Sequence, residues 1–286
     1  MTYSTYNPMN NHQKEIPRTI WLLWFQGLEN APLIVQKCVV SWITKNPNWD
    51  VIVLDKHSLK KYIDYSDESF PNLGLAGKSD LIRLSLLAEY GGVWVDATTF
   101  CVKPLDSWIN EASSSGFFAF EKPGPDRLIA SWFLASEVKS PLVILLKNEL
   151  YAFWLENNYS LNSESKRKRI KILSKYFNRS YKTTKYWFSP LVTKLLKVYP
   201  YFVIHYKFAR LISRDLECKK IWDNTKKISA SPSLLIKRQN IFQPASEIIK
   251  NEIDNEIVPV YKLIWNYDQS KYQSSSLVYY LLENKN

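Results

Sequence analysis

Between Ser79 and Asp96 a helical pattern passes through a glycine pair into a strand pattern without an intervening loop. Leu81, Leu84, Leu87 and Ala88 recur at helical spacing, Gly91-Gly92 follows, and Val93-Trp94-Val95 ends on Asp96. The spacing predicts a helix capped by Ser79, stopped by a left-handed glycine cap, and turned straight into a short buried strand. The strand–helix–strand order around it suggests an α/β sheet. Asp96 then stands at the carboxyl end of a strand, where open α/β sheets hold their ligands.

The flanking pattern agrees. Thr19 to Phe25 reads as a strand running to Gly27. Pro32 opens a helix carrying Val35, Val39, Trp42 and Ile43, and Trp49 to Leu54 is a second strand. Strand, helix, strand in that order predicts parallel pairing. Phe117 to Phe120 and Leu128 to Ala135 read as further strands, and Pro141 opens a helix running towards Trp154. Residues 1–156 therefore form the α/β part. Residues 157–228 are expected to be a basic helical region on an acceptor or membrane side. Residues 229–286 return to short strand-like pieces, Val258 to Trp265 among them, and a helical tail. With 286 residues, 46% of them hydrophobic, the chain can bury a sizeable core.

Asp80 and Arg83 lie three apart and share a helix face near its expected N-terminus, where free N–H groups favour anions. A surface ion pair of this kind contributes only ~0–1 kcal/mol. The turn into Asp96 is what sets this pair apart, because one short segment can bring Asp80, Arg83 and Asp96 together. The formal charge of +11 favours anionic partners. Walker loops, G-x-G-x-x-G, nucleophile elbows and nucleic-acid-binding motifs are missing from the sequence, so nucleic acid is not an expected partner. His12, His57 and His205 lack metal-ligand spacing, and His205 reads as structural or acceptor-side. Cys38, Cys101 and Cys218 form no C-x-x-C pair and read as reduced thiols of a cytosolic protein. The polar start Met1-Thr2-Tyr3-Ser4 does not read as a signal peptide, and apolar runs fall short of the ~20 residues of a membrane helix. The expected location is cytoplasmic, peripheral on the inner face of the membrane. Nine basic residues and no acid between Lys166 and Lys185 make an anionic membrane surface an expected partner.

Ser79-Asp80-Leu81-Ile82-Arg83 followed by Glu89-Tyr90-Gly91-Gly92-Val93-Trp94-Val95-Asp96 resembles the capsular polysaccharide synthesis family, related to glycosyltransferase family 32, the yeast-type initiating mannosyltransferases and the glucosylating clostridial toxins. The opening Ile16 to Gly27, Ser41-Trp42 with Asn46-Pro47, and Ser131 to Ser136 fit the same pattern, with a weaker echo at Tyr261-Lys262-Leu263. The resemblance implies a GT-A-type fold, a nucleotide-sugar donor and, as in most relatives, transfer with retention. The expected setting is bacterial capsular or other surface polysaccharide assembly, with a lipid-linked glycan as the expected acceptor. A nucleotide-sugar hydrolase and an inactive sugar-nucleotide-binding protein are the alternative readings. Carried over by position, Asp96, Asp80 and Arg83 are the catalytic candidates. The donor-binding set is Trp24, Gln26, Asp80, Arg83, Trp94, Asp96, Thr98 and Lys262, with Trp24 on the nucleobase and Lys262 on the leaving diphosphate. Asp96 is the candidate metal ligand for Mn2+ or Mg2+. Thr98 stands where Asp-x-Asp relatives have a second acid, which weakens that expectation. Asp106, Glu121 and Asp126 are the acids that could compensate.

Overall fold

The computed structural model describes residues 15–64, 69–238 and 240–283; Met1 to Ser4 and His12 lie outside them. Strand β1 (Thr19–Leu23) leads to helix α1 (Leu33–Lys45) and strand β2 (Asp50–Leu54), then to helix α2 (Leu75–Tyr90) and strand β3 (Gly92–Val95). After β4 (Thr99–Cys101) and the short α3 (Ile109–Ala112) come β5 (Phe117–Gly124), β6 (Arg127–Ser136) and α4 (Pro141–Glu156). The main sheet has the order β2-β1-β3-β6-β5. β1 pairs parallel with β2 and β3, while β6 runs antiparallel to β3 and β5. The expected α/β fold is thus borne out, with the parallel strands adjoining an antiparallel hairpin.

Alternation along the strands makes the layers. Trp21, Leu23 and Trp94 enter one apolar cluster with the buried faces of α2 and α4. Ile20, Leu22, Val93 and Val95 enter another with Val39 and Trp42 of α1 and Ile109 of α3. Each fully buried side chain of this size stabilises the fold by ~1.5–3 kcal/mol.

After α4 the chain is mostly helical. α5 (Glu164–Phe177) is followed by α6 (Val203–Ile212), α7 (Leu216–Asn224), the short α8 (Leu235–Arg238) and α9 (Glu247–Asp254). Strand β7 (Val260–Lys262) then pairs antiparallel with β4, setting Thr99 opposite Lys262, and α10 (Leu277–Glu283) follows. Val260–Lys262 is the part of the Val258 to Trp265 pattern that forms strand. Among the described residues no helix is long and apolar enough to cross a membrane.

Two local expectations change. α2 begins at Leu75 with Gly74 as N-cap, not at Ser79. Leu75-Ala76 and Lys78 favour helix, so the helix extends one turn further back. Ser79 Oγ instead accepts a hydrogen bond from Arg83 Nη2 at 3.0 Å. Asp80 and Arg83 therefore lie beyond the first turn, out of reach of the helix-end N–H groups. At the other end Gly91 has φ 64° with ψ −154°, an extended conformation open to glycine alone rather than a left-handed cap, and Gly92 has φ 92°. A Cβ on Gly92 would stand 2.5 Å from the Thr19 carbonyl oxygen of β1. Gly92→Ala is accordingly expected to cost more than the ~1–3 kcal/mol of backbone strain alone. Urea denaturation reads this directly, and an alanine variant of wild-type stability would contradict the reading of the turn.

Candidate active site

The carboxyl ends of β1 and β3 open into a cavity of about 600 Å³. Arg83 lies at its floor, 4% exposed, with every guanidinium nitrogen engaged. Its Nε donates to the Ser79 carbonyl at 3.2 Å, Nη1 to the Ser131 carbonyl of β6, and Nη2 to Ser79 Oγ. Nη2 also stands 3.3 Å from Asp80 Oδ1 and 3.3 Å from Asp96 Oδ1. The guanidinium carbon lies 5.0 Å from the ring centroid of Trp94, whose Nε1 donates to Asp96 Oδ1 at 3.2 Å. One buried cation thus gathers the helix, the β3 end and β6. The segment Ser131 to Ser136 fits the same design, with Ser131 supplying a carbonyl and Trp132 a wall.

The two carboxyls differ in protonation. Burial pushes Asp80 up to about 7; Arg83 pulls it down and Asp96 pushes it further up. Asp96 experiences the same burial, but Arg83, Lys262 and the Trp94 N–H outweigh it and hold its carboxyl below the usual range. Asp96 is a fixed anion, whereas Asp80 exchanges its proton near neutrality.

Trp24, immediately after β1, lines the cavity edge-to-face with Trp265 at 6.3 Å. Its Nε1 is buried without a partner among the described residues. Lys262 is delivered by the β4–β7 pairing: the Leu263 N–H donates to the Thr98 carbonyl at 2.8 Å, and Lys262 Nζ bonds the Thr98 hydroxyl and stands 3.5 Å from Asp96 Oδ2. Trp24, Asp80, Arg83, Trp94, Asp96, Thr98 and Lys262 therefore all line one cavity. Gln26 does not line it; the residue is exposed, and its carbonyl accepts from Asn30. Asp106 bonds Arg18 and Trp49, Glu121 faces Lys122 on β5, and Asp126 is held by Arg127 and Tyr206, so none of these acids reaches the cavity.

Residues beyond the expected set also converge here. Arg127, Lys237 and Arg238 add positive charge, and Tyr201, Phe202 and His205 form the opposite wall. His205 Nε2 accepts the Ser131 N–H at 3.4 Å, which leaves the proton on Nδ1. That Nδ1 is buried without a partner among the described residues. Burial, then Arg127 and Arg83, lower its pKa well below the usual value, so the ring is a neutral donor. Sequence reading had only the histidine itself to go on; the cations sit in ordinary amphipathic surroundings and carry no signal.

A family model described as capsular polysaccharide synthesis protein matches residues 1–187. The chain belongs to the capsular polysaccharide synthesis family. An O-glycosyltransferase of Annulohypoxylon truncatum is 29% identical over 154 residues, covering 46% of this chain and 36% of that protein. A glycosyltransferase of Aspergillus fumigatus is 36% identical over 104 residues, covering 32% of this chain and 27% of that protein. An initiation-specific alpha-1,6-mannosyltransferase of Candida albicans is 26% identical over 134 residues, covering 41% and 35%. This family member spans about a third of the length of the curated relatives it matches. The solved UDP-bound glycosyltransferase domain of the YGT toxin is 10% identical with a TM-score of 0.39, covering 85% of this chain and 90% of that one. So loose a likeness carries no argument.

The raised Asp80 has a consequence for stability. The folded state holds this proton up to pH about 7, whereas the unfolded state releases it near the ordinary value of 3.8. Between those limits the folded state binds more protons, so this group's contribution to stability falls as pH rises. Asp80→Asn should remove that decline. Urea denaturation of both proteins from pH 4.5 to 8 measures it; a wild-type-minus-variant difference that stays flat with pH would contradict the assignment.

Proposed function

We propose that the chain is a glycosyltransferase that moves a sugar from a nucleotide-sugar donor to a glycan acceptor in bacterial capsular or other surface polysaccharide synthesis. The observation that supports this most is the buried Arg83 holding Asp80 and Asp96 beneath a cavity walled by indoles and ringed by cations. Carboxylates and a guanidinium suit sugar hydroxyls, indole faces suit a base or a sugar, and cations suit a diphosphate. Trp24 is assigned to the nucleobase, Asp80 and Arg83 to donor sugar hydroxyls, Trp94 to the pocket wall, Asp96 to ribose or sugar, and Lys262 to the diphosphate. The GT-A-type assignment rests on the family resemblance and on ligand binding at the ends of parallel strands.

Retention is proposed through a front-face displacement. The bond from the anomeric carbon to the diphosphate oxygen breaks, and its electron pair goes to that oxygen. The acceptor hydroxyl oxygen bonds the anomeric carbon on the same face, and its proton passes to the departing diphosphate oxygen.

A screen of UDP-, GDP- and dTDP-sugars by thermal shift is expected to raise the melting temperature with one donor class. Asp96→Asn is expected to lower transfer by ~100-fold or more, as loss of an oriented charge does in other enzymes, and to cost some stability because it removes the anion paired with Arg83 and Lys262. Asp80→Ala should also abolish transfer. Arg83→Ala should abolish it too and destabilise the fold by ~3–5 kcal/mol, because it takes the buried guanidinium from Asp96 and the donor from the Ser131 carbonyl. Full turnover by Asp96→Asn, or a screen in which no sugar nucleotide shifts the transition, would sink this reading. Product analysis with and without acceptor separates transfer from hydrolysis.

The acceptor is proposed to be lipid-linked and met at the inner face of the membrane, through α5. Ile170, Leu173 and Phe177 pack α5 onto the protein, while Lys171, Ile172, Lys175 and Tyr176 are exposed. Lys166 and Arg169 are engaged by the Ser160 and Leu196 carbonyls, so the free basic face is the other one. Each such lysine near an anionic leaflet contributes ~1 kcal/mol, and Ile172 and Tyr176 can enter the headgroup region. Liposome flotation should show binding that needs anionic lipid and falls when Lys171, Lys175 and Lys182 become glutamine. Equal recovery with neutral vesicles would leave α5 an ordinary solvated helix.

A further inference from the structure

The charges around the cavity do not fit a divalent cation. Mn2+ and Mg2+ take hard oxygen ligands, from carboxylates together with substrate phosphates. Among the described residues, Asp80 and Asp96 are the acids that line the cavity, and no cluster of three metal-binding side chains occurs. Both oxygens of Asp96 are engaged. Oδ1 faces Arg83 at 3.3 Å and accepts the Trp94 N–H at 3.2 Å, while Oδ2 faces Lys262 at 3.5 Å. Asp80 faces Arg83, and burial favours its neutral form.

The ammonium of Lys262 stands against Asp96 and Thr98, the positions of the two acids in the Asp-x-Asp relatives. Thr98 offers this ammonium a neutral hydroxyl and leaves no second acid at position 98 to ligate a metal. The surrounding charge has the matching sign. Arg83, Arg127, Lys237, Arg238 and Lys262 line the cavity against Asp80 and Asp96, with Asp126 paired to Arg127, so a dication would still add to the positive excess and a diphosphate would offset it. Lys237, Arg238 and Lys262 all lie beyond residues 1–187, the part matched by the family model.

We infer that this chain binds the diphosphate of its donor without a divalent cation, with Lys262 in the place of the metal and Arg127, Lys237 and Arg238 beside it. The inference rests on the reading of the cavity as a donor site. As the bond to the anomeric carbon breaks, the electron pair goes to the diphosphate oxygen, and the fixed ammonium meets the charge that develops there. Nothing else is consumed, and the acceptor's proton leaves as described above.

Calorimetric titration of the full chain with UDP, GDP and dTDP, in EDTA and again in Mn2+, tests this. The nucleotide that binds is expected to do so with the same affinity in both buffers. Lys262→Met should weaken it by about 10-fold or more in EDTA, as expected for a lost charge-assisted hydrogen bond. Lys262→Arg should retain it, and the pair Lys262→Ala with Thr98→Asp should bind in Mn2+ but not in EDTA. Binding by the wild-type chain that needs Mn2+ overturns this inference and leaves the proposed function standing. Binding in neither buffer overturns the reading of the cavity and this inference with it. If Lys262→Met does not fold, the wild-type comparison still decides.

Discussion

A guanidinium taken out of water must find partners for its charge and its donors, because leaving it unpaired costs several kcal/mol. Arg83 meets that demand by drawing in groups from three places in the chain. Ser79 and Asp80 come from its own helix, Asp96 from the end of β3 and the Ser131 carbonyl from β6. The sheet order places β3 beside β6, and the glycine turn returns α2 onto β3 without a loop. Side chains larger than hydrogen at Gly91 and Gly92 would meet the backbone of the 136–138 segment and of Thr19, so the turn that positions Asp96 also fixes the sequence that makes it.

Lys262 completes the arrangement from the far end of the chain. Its backbone joins the core through a two-stranded sheet with β4, whose partner residues Phe100 and Tyr261 are both fully buried. The side chain then reaches Thr98 and Asp96 and lines the cavity. The +11 excess is spread over two places in the fold. Around the cavity Arg83 is buried and Arg127 and Lys262 are half-buried, where a lower dielectric strengthens their pull on an anion. Lys237 and Arg238 at the cavity, and Lys171 and Lys175 of α5, are exposed and screened by salt.

The α2–β3 unit was legible in the sequence because helical spacing, a glycine pair and an apolar run are local signals. The convergence of Asp80, Arg83 and Asp96 followed from it. The start of α2 was misread because a serine that could cap a helix can equally accept a guanidinium, and only the fold decides which. Gln26 neighbours Trp24 in sequence, yet the chain turns at Gly27 and leaves it outside the cavity. Arg127, Lys237 and Arg238 could not have been found, because only the fold brings segments distant in sequence to one cavity. Asp126 looked like a free acid because its partner Tyr206 comes from α6, 80 residues on, and its other partner is the neighbouring Arg127 at the head of β6.

The central claim is that the cavity above Arg83 holds a nucleotide sugar with the sugar on the Asp80–Arg83–Asp96 group. A crystal structure with the donor picked out by the thermal screen tests it most directly. The expected density shows sugar hydroxyls within hydrogen-bonding distance of Asp80 and Arg83, the diphosphate against Lys262, and the base against Trp24. Density for the donor elsewhere on the protein, or a cavity holding only solvent at saturating donor, would contradict it.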